Sequence, residues 1–174
     1  VMFPLIIAAA GILAGIIGCF FVRGDEKSNP HKALKMGTYV ASAIVVVCVL
    51  IFSNLILGTF RPAIAIIAGL AVGILIGIVT EIYTSADYRF VKKIGQQSET
   101  GSATTIISGI AIGMQSTAVP IILIAVGIVI AYIFGGTNNS ESLFAIALSA
   151  VGMLSTAGIT VAVDAYGPIA DNAG

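Results

Sequence analysis

Two aspartates in the last eleven residues are the side chains of this sequence best suited to chemistry. Asp164 and Asp171 lie in the segment DAYGPIADNAG at residues 164–174, which follows directly on an apolar stretch. An ionisable group at the end of a membrane span is costly unless it faces protein, water or an ion. We therefore interpret the segment as a functional site. The alternative is a helix end whose aspartates are only solvated.

The spacing of the two aspartates limits what they can bind. On a continuous helix, residues seven apart share a face and lie two turns, or roughly 10.5 Å, from each other. Both carboxylates cannot then bind one Mg²⁺ at about 2.0–2.1 Å, although a break at Gly167-Pro168 would change the distance. Asp164 and Asp171 therefore supply only part of an oxygen-ligand site, of the kind that Mg²⁺ completes with phosphate oxygens and water.

Other polar residues have plainer interpretations. Glu81 is interpreted as an interfacial glutamate rather than an ion-pathway carboxylate. His31 is interpreted as a solvated loop residue, because no second metal ligand accompanies it. The hydroxyls of residues 98–105 precede an apolar run and are expected to cap a helix, since no Walker pattern is present. Cys19 and Cys48 are expected to be buried free thiols.

The elements that position these residues follow from composition. The chain is 58% hydrophobic and 9% charged, against about 25% charged in soluble domains, which indicates an integral membrane protein. Its formal net charge of zero says little about partners, and we separately predict no nucleic-acid partner. The fold class is all-α, a polytopic transmembrane helix bundle treated as one set over residues 1–174, because no dyad alternation of polar and apolar residues occurs. Five apolar segments approach or exceed the ~20 residues of a bilayer span: residues 2–22, 36–57, 62–83, 104–134 and 142–163.

The basic residues predict an orientation in the membrane. Seven of the eight lie in the first and third connections, and only Arg61 lies in the second. The positive-inside rule makes the first and third connections cytoplasmic. Five crossings then place the N-terminus outside and the acidic motif at residues 164–174 on the cytoplasmic face. The seven are Arg23, Lys27, Lys32, Lys35, Arg89, Lys92 and Lys93.

The fourth segment is too long for one crossing. Some thirty residues make a helix of about 45 Å, whereas the hydrocarbon core is about 30 Å thick. Its first half is also the more polar half. We therefore expect a helix that projects beyond the membrane and bends near Pro120, where a backbone N–H is missing.

Glycines recur at four-residue spacing in three of the segments. Such stripes let helix backbones approach closely in lipid. The spacing leaves open whether they serve packing within the chain or an interface between subunits, and we favour packing within the chain. The stripes are Gly11/Gly15, Gly69/Gly73/Gly77 and Gly109/Gly113.

Residues 152–156 (GMLST) leading into the acidic segment resemble the membrane-integral, ion-pumping pyrophosphatases. Two further stretches match that family's pattern, residues 80–85 (TEIYTS) and residues 99–104 (ETGSAT) through 113–117 (GMQST). The resemblance covers most of the chain from the third segment onward, whereas the first two segments add only compatible hydrophobicity.

The resemblance implies a homodimeric pump that hydrolyses inorganic pyrophosphate with Mg²⁺ and exports H⁺ or Na⁺. Potassium activates some members of the family. Asp171 matches the family aspartate that reaches the magnesium–pyrophosphate cluster, and Asp164 lies on the same motif. Asn172 and Tyr166 are expected to support the site by orienting or packing.

The resemblance also implies that parts of the machinery lie elsewhere. The family's water-activating aspartate pair and its ion gate match nothing here, so we expect an internal fragment that packs against the remaining helices of its subunit. Such a fragment would hold no catalytic residue of its own and would be inactive alone. Two alternatives are a secondary transporter with Asp164 and Asp171 as its ion site, and a non-catalytic packing or dimerisation module. Carboxylates at the end of a span, rather than near the midplane, favour the pump.

Overall fold

The computed structural model describes residues 2–22 and 30–173 and shows helices joined by short turns. Five stretches of this part of the chain are long and apolar enough to cross a membrane, which confirms the all-α polytopic bundle. Arg23, Lys27 and Gly174 lie outside the described residues. The helices are α1 (Met2–Phe20), α2 (Pro30–Leu57), α3 (Arg61–Thr84), α4 (Arg89–Ser98), α5 (Ser102–Ser116), α6 (Ala118–Gly135), α7 (Asn139–Leu154) and α8 (Ala157–Ala173).

Helix α2 begins ahead of the predicted span. It starts at Pro30, a residue suited to the first turn because its missing N–H has no helical partner there. His31 is therefore the second residue of a helix, and the prediction of a loop histidine was wrong.

The chain divides into two compact units, which we describe separately. The first unit comprises Val1–Ala71 with Val129–Gly174, and the second unit comprises Val72–Ile128. In the first unit, α1 packs against α2, α7 and α8. In the second unit, α4 packs against α5.

Glycines bring the backbones of the first unit together. A Cβ added at Gly11 of α1 would overlap the carbonyl oxygen of Ser155, and one at Gly18 would lie 2.7 Å from the carbonyl oxygen of Gly37 on α2. A Cβ at Gly15 would lie 3.4 Å from the backbone nitrogen of Ile159, which is an ordinary contact. The expected packing within the chain is therefore confirmed for the stripe on α1.

Helices α3 and α7 approach each other in the same way. A Cβ at Gly69 of α3 would overlap the backbone carbonyl of Ser149, and one at Gly152 of α7 would overlap the carbonyl of Ile66. Each helix thus has a glycine at the point where the backbone of the other helix approaches it. Next to this contact, Ala65, Ala131 and Ala145 form a core cluster of small side chains. In lipid the hydrophobic effect does not drive helices together. Small residues stabilise helix pairs there by allowing close van der Waals contact.

The fourth and fifth predicted segments are each interrupted. The fourth divides at Thr117 into α5 and α6, three residues before Pro120, as the missing N–H predicts. The fifth, predicted as one apolar segment over residues 142–163, divides at Ser155 and Thr156 into α7 and α8. The Ser155 hydroxyl donates to the Gly152 carbonyl at 2.6 Å, and the Ser155 N–H donates to the same carbonyl at 3.2 Å. These bonds to residue i−3 replace the helical pattern locally.

The start of α5 differs from the predicted hydroxyl cap. Its N-cap is Gly101, with φ of 142°, and no side chain accepts a bond from the first turn. The hydroxyls of Thr104 and Thr105 instead donate to the Gly101 carbonyl, at 2.8 and 2.9 Å. Glycine suits this position because its φ lies in a region that L side chains rarely adopt.

Candidate functional site

The acidic segment is helical almost to its end. Helix α8 runs without a break through Gly167 and Pro168 to Ala173. Pro168 cannot donate to the Asp164 carbonyl, yet the helix persists, and the Asn172 side-chain amide donates to the Pro168 carbonyl at 2.9 Å. Of the two geometries that the spacing allowed, the structure therefore has the continuous helix. Its two aspartates lie on one face, two turns apart.

The first turns of α8 pack against other helices, whereas the end that carries the aspartates is exposed. Ile159 is 1% exposed and contacts α1 and α2, where its Cδ1 lies near Gly18 and Gly37. Beyond it, the described side chains through Ala173 are exposed apart from the half-buried Val163. Helices α1 and α2 thus position α8 through its first turns, and the chain leaves the acidic end uncovered.

The four site residues named from the sequence are all accessible. Asp164, Tyr166, Asp171 and Asn172 are exposed. Within the part of the chain that the structure describes, no hydrogen bond or ion pair engages either carboxylate. Both aspartates therefore have oxygens available for a cation or for water. Tyr166 forms no contact here that assigns it a role.

The donor chemistry fits Mg²⁺ but does not complete a site. Carboxylate oxygens are ligands that Mg²⁺ accepts, usually one or two from protein with phosphate oxygens and water filling the rest. Among residues 2–22 and 30–173, no three His, Cys, Asp or Glu side chains come together closely enough to hold a metal. Asp164 and Asp171 can thus each contribute to a metal site whose other ligands come from outside this chain.

A polar cluster that the sequence analysis did not single out lies at the other end of the fifth span. The Arg61 Nη1 donates to the Gly136 carbonyl at 2.9 Å. The Glu141 carboxylate accepts bonds from the Thr137 N–H, at 2.8 Å, and from the Thr137 hydroxyl. Asn138 is the N-cap of α7, and its Oδ1 accepts from the Glu141 N–H at 3.0 Å. These hydrogen bonds stabilise the connection between α6 and α7. The described groups of the cluster do not form a catalytic or metal-binding arrangement.

The remaining candidates keep structural interpretations. Glu81 is half-buried near the end of α3, and its interfacial role stays a prediction. Both cysteines are free, as expected. Burial was predicted for both, but Cys19 is exposed in the isolated chain and Cys48 is half-buried. Cys19 follows Gly15 by four residues and so borders the glycine face of α1, but its own side chain stays exposed.

Comparison with known proteins places this geometry in context. The whole chain, residues 1–174, matches the family model described as Inorganic H+ pyrophosphatase. A protein of Clostridium tetani described as a putative K(+)-stimulated pyrophosphate-energized sodium pump is 54% identical over 176 residues. A protein of Bacteroides thetaiotaomicron with the same description is 45% identical over 183 residues. A K(+)-insensitive pyrophosphate-energized proton pump of Methanosarcina mazei is 41% identical over 176 residues.

These alignments use all of this chain but only part of each relative. They cover 100% of the chain in each of the three cases, and 26%, 25% and 26% of the respective relatives. The chain thus spans about a quarter of the length of the curated relatives that it matches.

Proposed function

Because this chain belongs to the inorganic H⁺ pyrophosphatase family, we propose that it is a segment of a membrane pump that couples hydrolysis of pyrophosphate to movement of H⁺ or Na⁺. The observation that carries the proposal is the match of the family model over residues 1–174, which includes the acidic end of α8. The exposed carboxylates at the end of a span agree with a substrate that arrives from water. A coupling-ion site of a secondary transporter would be expected near the midplane instead.

In this proposal Asp171 is a ligand of the metal that accompanies pyrophosphate, and Asp164 is a second oxygen donor on the same helix face. Two turns separate them, so they serve different ions or act through water rather than chelating one ion. A bound Mg²⁺ would neutralise charge on phosphate oxygens during phosphoryl transfer. Asn172 holds the last turn of α8 through its bond to the Pro168 carbonyl and so helps to orient Asp171.

The partners in this proposal are those of the family as a whole. The remaining helices of the same subunit would supply the other ligands, the residues that activate water and the ion gate, and two subunits would form a homodimer. The N-terminus would lie outside and residues 164–174 on the cytoplasmic face. Relatives of both kinds, K⁺-stimulated and K⁺-insensitive, resemble this chain, so activity with and without K⁺ belongs in the first assay.

The proposal is tested on the full-length parent protein in membrane vesicles, by phosphate release from pyrophosphate with and without Mg²⁺. Asp171→Asn keeps the size of the side chain and removes its charge. We expect about a 10²–10³-fold loss of hydrolysis, the range found when one group that stabilises transition-state charge is removed. Asp87→Asn, at another exposed aspartate, is the matched control and is expected to keep full activity.

Three results would contradict the proposal. If the folded parent protein showed no Mg²⁺-dependent hydrolysis of pyrophosphate, the proposal of a pyrophosphate-driven pump would be wrong. Equal activity of Asp171→Asn and the wild type would move the metal site away from this chain. Equal losses in Asp171→Asn and Asp87→Asn would show a general effect of charge rather than a role for Asp171.

A further inference from the structure

Helix α4 is a basic amphipathic helix that the acidic site does not use. Its half-buried residues, Phe90, Val91, Ile94 and Gln97, follow the spacing of one helix face. Most of its exposed residues occupy the opposite face, and no acidic residue lies within the helix. The exposed stripe consists of Arg89, Lys92, Lys93 and Gln96.

Contacts at both ends fix the orientation of this helix within the second unit. The Phe90 ring stacks on Tyr83 near the end of α3, with ring centroids 4.2 Å apart and planes inclined by 21°. At the other end, the Thr104 hydroxyl of α5 donates to the Gln97 carbonyl at 3.0 Å. The apolar face is therefore held against neighbouring helices, and the basic face points away from them.

No carboxylate of the described chain neutralises these cations, and two of them have contacts within the chain. The Arg89 guanidinium lies 5.1 Å from the centre of the Phe90 ring, a contact that leaves its N–H groups available. The Lys92 Nζ donates to the backbone carbonyl of Asp87 at 2.8 Å, and this acceptor carries no formal charge. Lys93 makes no hydrogen bond or ion pair with the described residues. Three positive charges therefore lie along one accessible stripe.

Along the chain, α4 directly follows α3, an apolar helix long enough to cross a membrane. Helix α3 ends at Thr84 within a candidate span, and α4 begins at Arg89. The Phe90 ring in the first turn of α4 stacks on Tyr83 in the last turn of α3, so α4 begins beside the end of α3. A helix with apolar residues on one face and Lys and Arg on the other suits the headgroup region of a membrane.

We propose that the basic face of α4 (Arg89, Lys92 and Lys93) is a docking surface for the anionic headgroups of membrane lipids. Phosphate groups of neighbouring lipids are arrayed in a plane, which matches a row of cations along a helix. A soluble anion such as pyrophosphate would instead be bound by donors converging on one point. The proposal goes beyond the pump activity and does not depend on it.

The test is a lipid titration of the full-length parent protein purified in a neutral detergent. Phosphatidylglycerol is added in increasing amounts, and the thermal unfolding midpoint is recorded against phosphatidylcholine as the neutral lipid. We expect phosphatidylglycerol to raise the midpoint, and raised salt to weaken the effect. The variant Arg89→Gln/Lys92→Gln/Lys93→Gln is expected to need about 10- to 100-fold more phosphatidylglycerol for the half-maximal effect.

Matched variants distinguish an effect of lost charge from an effect of lost folding. Arg89→Lys/Lys92→Arg/Lys93→Arg keeps all three charges and is expected to titrate like the wild type. Lys93→Gln breaks no internal bond and is expected to shift the half-maximal concentration by about 5-fold. Gln96→Lys adds a cation to the stripe and is expected to shift it in the opposite direction. Because the readout is lipid-dependent unfolding, a pump that proves inactive would not affect the result.

Three results would overturn this proposal. If the triple glutamine variant titrated like the wild type, anionic lipid would bind elsewhere on the protein. A charge-preserving variant that fails as badly as the glutamine variant would exclude an electrostatic surface. Protection by free pyrophosphate at the same positions, but not by phosphatidylglycerol, would assign the stripe to a soluble anion.

Discussion

The first and second units use the same glycine spacing in opposite ways. In the first unit, Gly11 and Gly69 each lie so close to a neighbouring backbone that a Cβ would overlap it. In the second unit, a Cβ at Gly77, Gly109 or Gly113 would meet no atom of the described chain within 4 Å. A four-residue stripe therefore marks where a close approach is possible. Only the tertiary structure shows where the approach occurs.

The contrast is sharpest along α3, which carries Gly69 and Gly77. We expect Gly69→Val to destabilise the full-length protein by about 3 kcal/mol or more, because the obstacle is the Ser149 backbone, which cannot move aside. Gly77→Val on the same helix is the control and is expected to change the free energy of unfolding by less than about 0.5 kcal/mol. Denaturation of the two variants in the same detergent measures the difference.

An equal cost at the two positions would break the comparison between the units. It would mean that overlap with the Ser149 carbonyl does not govern the stability of α3. A large cost at Gly77 alone would show that a helix outside this chain closes on that face.

A smaller effect is expected on α1, where Gly11 and Gly15 differ by one turn. Gly11→Ala places a methyl group against the Ser155 carbonyl at the break between α7 and α8, which we expect to cost about 1–3 kcal/mol. Gly15→Ala makes only an ordinary contact and is expected to leave stability unchanged or slightly raised. Thermal unfolding of both variants provides the measurement, and a similar fall for Gly15→Ala would argue against the overlap as the cause.

Much of the architecture was predictable because lipid leaves few choices. Backbone groups in hydrocarbon must bond within their own segment, so length and hydropathy alone identified the five spans. The accessible end of α8 was also predictable, because two aspartates at the end of an apolar run are stable only where they meet water, an ion or protein. These predictions depend on composition over long windows, which a single contact cannot reverse.

The break at Ser155 and Thr156 was not predictable in the same way. It depends on a serine hydroxyl that competes for the carbonyl three residues earlier, and many serines in membrane helices make similar bonds without a break. The close contact with Gly11 comes from a helix distant in sequence. By contrast, the capping pair at the start of α7 could have been found, because Asn138 followed three residues later by Glu141 is a capping pattern.

Helix α4 was missed for a different reason. Residues 89–98 lie in the third connection, where the basic residues predict the orientation in the membrane and no helix is predicted from their spacing. The cations at Arg89, Lys92 and Lys93 and the apolar residues at Phe90 and Ile94 follow a helical period. A window of ten residues with two opposite faces would have indicated an interfacial helix.

The smallest expected effect has the opposite sign and lies in the second unit. At Gly113 of α5 a methyl group meets open space, so Gly113→Ala should only reduce the freedom of the unfolded chain. We expect stability to rise by about 0.4–1 kcal/mol, seen as a higher thermal midpoint of the full-length protein. Gly127→Ala is the control in the same unit, because its methyl group would lie 2.8 Å from Val72 Cγ2 and should lose that gain. A fall in stability for Gly113→Ala would mean that another helix packs on this face, in which case both units use their glycines alike.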